Sequence, residues 1–103
     1  MATFRSVKAE FSLRALANLE DIADYLTPLN PNGAANVRKA ILSTIDTVAQ
    51  FPLAGRRQSV ASVRRIGVPH YQYSVYYTVE TDADRVVVVA IRHDKRRRTF
   101  TDR

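Results

Sequence analysis

The apolar residues change their repeat on either side of Pro52, and that change limits the folds open to this chain more than any other feature. Between Ser12 and Phe51 they recur at helical spacing. After Gly55 they alternate or run unbroken, as strands do. In the first stretch Leu13, Leu16, Ile22, Ala23 and Leu26 predict one face of a helix, with Leu19 on its flank. Ser12 is a good N-cap, and Glu20, Asp21 and Asp24 lie mostly on the solvated side. Pro28 disfavours helical geometry at Thr27 and stops this helix. Asn30 before Pro31 then reads as an N-cap with proline at the first helical position. Ala34, Val37, Ile41, Ile45 and Val48 form a second stripe that Pro52 closes. With so short a linker the two helices should pair as an antiparallel hairpin.

The strands come from the other repeat. Ser62 to Val68 reads as a strand, and Pro69-His70 as a turn or bulge. From Tyr71 to Glu80, Tyr73, Val75, Tyr77 and Val79 share one face; Gln72, Ser74, Tyr76 and Thr78 share the other. Thr81 to Asp84 is a turn. The β-branched run Val86 to Ile91 fits a central strand covered on both faces. A short strand over Thr3 to Ala9, with Phe4 and Val7 as its large apolar residues, precedes the helices. The predicted order is β-α-α-β-β-β, a two-layer α+β domain with a helical hairpin packed on a mainly antiparallel sheet.

At 103 residues the chain fits one domain, spanning 1–103, large enough to fold without staples. Zero Cys excludes disulfides, thiol catalysis and cysteine-based metal centres. No export segment is evident at the N-terminus, and the longest apolar run is far short of the roughly 20 residues a bilayer demands, so a cytoplasmic location is the expectation. The net charge of +6 is unevenly spread. Residues 1–55 hold five basic and five acidic groups; residues 56–103 hold eleven basic and five acidic. The whole excess therefore lies in the strand-forming half and points to a phosphate-rich or acidic partner there.

Chemistry has few candidates. His70 and His93 are the only histidines and have no ligand-spaced partners, so neither a metal nor another cofactor is expected. Gly33, Gly55 and Gly67 form no phosphate-binding or dinucleotide motif. Carboxylates on the first helix are explained by solubility. What remains is basic: Arg64 and Arg65, adjacent on a strand and so facing opposite ways, and Arg92, His93, Lys95, Arg96, Arg97 and Arg98 after the valine run. Arginine forks bind phosphate oxygens and stabilise phosphoryl transition states, and histidine exchanges a proton near neutral pH. The plainer reading is a solvated basic tail. Tyr73 and Tyr77 fit core packing, while Tyr76, on the opposite face, is placed to stack a base or meet a partner helix. Helices on one sheet face leave the other open, and the unbroken valines there imply that a protein partner covers it.

The motifs, in order, resemble those of the RelE/ParE toxin superfamily over residues 4 to 100. Ser12-Leu13-Arg14-Ala15 is similar to its Ser-Pro-x-Ala helix start, with Leu13 in place of proline. Asn18-Leu19-Glu20-Asp21-Ile22-Ala23-Asp24-Tyr25 is similar to its Asp-Leu-x-x-Ile-x-x-Tyr, with Asn18 in place of aspartate. Pro52-Leu53-Ala54-Gly55-Arg56 resembles a Pro-x-x-Gly-Arg segment. A strand arginine (Arg64 or Arg65), a Tyr-x-x-x-Tyr strand (Tyr73 and Tyr77) and a His-x-x-Arg-Arg ending (His93 to Arg97) complete the series.

The resemblance implies the toxin of a type II toxin–antitoxin module, in hetero-oligomeric complex with a cognate antitoxin. It implies an antitoxin surface at Tyr73, Tyr76, Tyr77, Arg56 and Arg64, and a target surface at Arg92, His93, Lys95, Arg96, Arg97 and Arg98. ParE-like members poison DNA gyrase by binding it; RelE-like members cut mRNA on the ribosome. For the second activity the catalytic set would be Arg64, Arg65, His93, Arg96 and Arg98. The C-terminal aromatic position holds only Phe100, which exchanges no proton, and lysines are missing between Gly55 and Arg64. The pattern favours the ParE branch. A basic RNA-binding module without toxicity is the third class.

Overall fold

The structure is a computed structural model, and it describes residues 8–60 and 62–95. Its elements are β1 (Lys8–Phe11), α1 (Leu13–Leu26), α2 (Pro31–Gln50), β2 (Arg56–Arg57), β3 (Val63–Gly67), β4 (Tyr73–Glu80), a 3₁₀ turn (Thr81–Ala83) and β5 (Arg85–His93). The five strands form one sheet in the order β1-β5-β4-β3-β2. All neighbours are antiparallel except β1 and β5, which run parallel with Lys8 opposite Arg85 and Phe11 opposite Val88. Both helices pack on one face, so the expected two-layer α+β arrangement is the one adopted.

The helix boundaries follow their caps. Ser12 Oγ accepts from Ala15 N at 3.0 Å, and Asn30 Oδ1 accepts from Gly33 N at 2.9 Å, with Pro31 in the first turn. Each cap satisfies an N–H that the helix start leaves without an internal partner. The α2 stripe is buried as predicted, at Val37, Ile41, Ile45 and Val48.

The phase of α1 differs from expectation. Leu13 and Leu16 are 86% and 45% exposed, whereas Ala15 and the supposedly flanking Leu19 are buried. The reason lies outside the helix. Ser12 N donates to Val88 O at 2.9 Å and Ser12 Oγ to Val89 O at 3.2 Å. These bonds fix the rotation of α1, and the small side chain of Ala15 lets the helix lie close to the sheet.

Strand edges also shift. The expected first strand, Thr3 to Ala9, lies outside the described residues up to residue 7; the described part continues to Phe11, two residues further than predicted. The two-residue strand β2 is too short to leave a periodic trace in the sequence. In β5 the register slips: Tyr76 faces Ala90 while Tyr77 faces Val88, so Val89 is the extra residue of a bulge. The bulge breaks the alternation of the valine run. Val86, Val88 and Ile91 join the helix-side core, and Ala90 packs with Val63 and Tyr76 on the opposite face. Val60 and Val89 pack against that second cluster, so the chain itself covers part of the face expected to be open.

Candidate functional site

Strand register sorts the candidate residues by face, because residues paired across neighbouring strands point to the same side. Arg64 pairs with Tyr77 and shares the helix side; Arg65 pairs with Tyr76 and lies on the other. Ser74 pairs with Arg92, also on that other face, while Tyr73 pairs with His93 on the helix side.

On the helix side the Pro52–Gly55 turn is held by two side chains. The Tyr77 hydroxyl donates to Pro52 O and accepts from Gly55 N, both at 2.8 Å. Arg64 Nη1 donates to Gly55 O at 2.8 Å and, at 3.4 Å, to Leu53 O. A Cβ on residue 55 would stand 2.5 Å from the Tyr77 hydroxyl, which is why this position of the motif is glycine. Tyr77 is fully buried, and burial raises its pKa above the ordinary 10.0 despite the Gly55 hydrogen bond and the nearby Arg64 charge. Both residues therefore do structural work in this chain.

At the far end of β5, His93 makes an edge-to-face contact with Tyr73, centroids 5.1 Å apart. Its Nδ1 accepts from Lys95 N at 3.1 Å, so the neutral ring carries its proton on Nε2. An open cavity of about 330 Å³ lies there, lined by Asn18, Asp21, Ile22, Tyr73, Ile91, Arg92 and His93. Asn18 Oδ1 accepts from Ile91 N at 3.0 Å, pairing the β5 edge where β1 has ended. That residue, a departure from the motif, carries a bond the sequence did not signal.

On the opposite face Arg65 Nη2 meets Asp94 Oδ1 at 3.3 Å, and Ser74 Oγ donates to the same oxygen at 2.6 Å. Ser74 is wholly buried. Neither Ser74 nor Asp94 stands out in the sequence; the only trace is one acidic residue inside a basic run.

The expected catalytic set is thus divided. Arg64 and His93 lie on the helix side, at different ends of the sheet, and Arg65 on the other side. Arg96, Arg97 and Arg98 lie outside the described residues. Of the expected antitoxin contacts, Tyr73, Tyr76 and Tyr77 are interior, Arg64 is engaged with the turn, and Arg56 is exposed. The exposed apolar surface is elsewhere, at Leu13, Leu29, Phe51 and Leu53. No helix among the described residues is long and apolar enough to cross a membrane.

Comparison with known proteins gives this architecture its class. The putative toxin Y4kP of Sinorhizobium fredii is 28% identical over 82 residues, 80% of this chain and 85% of that protein. Toxin RelE2 of Caulobacter vibrioides is 32% identical over 84 residues, 81% of this chain and 90% of that protein. A solved structure of the chromosomal ParDE toxin–antitoxin system from P. aeruginosa superposes with a TM-score of 0.75 at 21% identity, covering 85% of this chain and 96% of that one. The protein is a toxin of a type II toxin–antitoxin system. Residues 9–98 match the model of the ParE toxin of the parDE type II system, and the chain belongs to that family.

Proposed function

We propose that this chain, acting as one domain over residues 1–103 in the cytoplasm, is a ParE-like toxin that arrests growth by binding and poisoning DNA gyrase, and that a cognate antitoxin neutralises it in a hetero-oligomeric complex. The observation that carries this reading is the division of the basic groups between the two faces of the sheet. Acid–base cleavage of RNA needs its groups within hydrogen-bond reach of one phosphodiester. Here Arg64 is committed to a turn and His93 is on the opposite face from Arg65. Binding a protein target makes no such demand.

The target surface is then the basic end of β5 together with the basic run just beyond it: Arg92, His93, Lys95, Arg96, Arg97 and Arg98. An acidic antitoxin segment complements the +6 charge and covers exposed side chains such as Arg56 and Leu53. Tyr73 and Tyr77 pack in the helix-side core and Tyr76 on the opposite face, so all three support the sheet that carries these residues.

The alternative reading, a RelE-like ribosome-dependent mRNA interferase, draws on Arg65 and Arg92 sharing one face. One experiment separates them: purified toxin assayed on gyrase supercoiling and, in parallel, on ribosome-dependent mRNA cleavage. Gyrase-linked DNA breaks with intact mRNA are expected. Cleavage of mRNA that disappears in Arg96→Ala and His93→Ala would overturn the gyrase reading.

A further inference from the structure

We propose that Asp94 makes the helix-free face of the sheet a poor binder of nucleic acid, its carboxylate holding the Arg65 guanidinium that would otherwise meet the phosphodiester backbone of single-stranded RNA. The inference rests on the reading of the chain as a toxin that acts on a protein.

Three contacts hold Asp94 in place. Its backbone N donates to Gln72 O at 2.7 Å, which folds the residue back over the end of β4. Ser74 Oγ donates to Oδ1 at 2.6 Å, the short distance typical of a hydroxyl bonded to a charged oxygen. Arg65 Nη2 approaches the same oxygen at 3.3 Å. The partly exposed Arg65 guanidinium is the kind of donor that binds a phosphate oxygen. Ser74 is wholly buried and its hydroxyl donates to Asp94, so the carboxylate is anchored to the sheet. Asp94 is also the only acidic residue from Arg85 to Arg98, a stretch otherwise rich in Arg and Lys. A phosphate brought to Arg65 meets a fixed negative charge already paired with that guanidinium.

The test is fluorescence anisotropy with a labelled single-stranded RNA decamer. Asp94→Asn keeps the shape and an acceptor for Ser74 but removes the charge. It is expected to bind the decamer at least about tenfold more tightly than the parent at about 100 mM salt, with a log–log salt slope steeper by about one. Asp46→Asn, on the exposed face of α2, makes the same change in net charge and should stay within about twofold of the parent. Adding Arg65→Gln to Asp94→Asn should abolish the gain. The proposal is overturned if Asp94→Asn binds no better than Asp46→Asn, or if the gain survives Arg65→Gln. Circular dichroism confirms folding, and Asp94→Ser replaces Asp94→Asn wherever the latter unfolds. Because the readout is RNA binding, a failed gyrase assay leaves this result standing, and the reverse holds too.

Discussion

Tyr77 shows how one side chain can look functional in the sequence and be structural in the fold. Its ring sits in the helix-side core, and its hydroxyl carries two bonds to the Pro52–Gly55 turn. Tyr77→Phe keeps the packing but leaves the Gly55 N–H without that acceptor. A loss of about 1–3 kcal/mol is expected in urea unfolding, since an orphaned buried donor costs its desolvation. The same burial gives a pH signature. The folded pKa of Tyr77 is raised above the unfolded value near 10.0, so folding favours the protonated phenol. Stability from this group is fully present below about pH 10 and declines as pH rises through the higher folded value. Unfolding curves taken across that range should show the decline in the parent and a shallower one in Tyr77→Phe. An equal decline in both would assign it to other groups. Arg64 illustrates the same point: adjacency to Arg65 revealed that they face opposite ways, but the carbonyl partners of Arg64 lie nine and eleven residues away in sequence.

Among the elements, α2 and β4 were legible because one repeat governs each along its length. The stripe of α2 predicts its buried residues apart from Thr44, and the alternation of β4 sorts its side chains between the two faces, although Ser74 and Tyr76 on the second face are buried too. In α1 two leucines at helical spacing pointed to a face that the tertiary structure leaves in solvent. Periodicity finds a helix, but its rotation is set by what its ends are bonded to, here Ser12 on the β5 carbonyls and Asn18 on Ile91 N. The consequence is measurable. Leu19→Ala, which opens a cavity beneath α1, should cost about 2–5 kcal/mol, and Leu13→Ala less than about 0.5 kcal/mol. Equal losses at both positions would contradict this rotation. The bulge at Val89 escaped prediction for a related reason: an unbroken valine run contains no alternation whose interruption would mark the extra residue.

At the scale of the whole molecule, the excess positive charge belongs to the sheet and its C-terminal end, while the half that ends in the helical hairpin is neutral. Such an asymmetry steers an acidic partner during encounter. Raising salt from about 0.1 M to about 1 M shortens the Debye length from roughly 10 Å to about 3 Å. Association of the toxin with an acidic antitoxin, followed by stopped flow, should slow by about tenfold or more; a rate indifferent to salt would show that the charge takes no part in the encounter. The fold class, the helical hairpin and the location of the charge were determined by sequence alone, because apolar period, proline placement and residue sign act locally. The rotation of α1, the bulge, the packing of Val60 against the cluster that holds Tyr76 and the pairing of Arg65 with Asp94 were decided only by the tertiary structure. Each depends on contacts between residues distant in the chain, and no local repeat records which residues those contacts join.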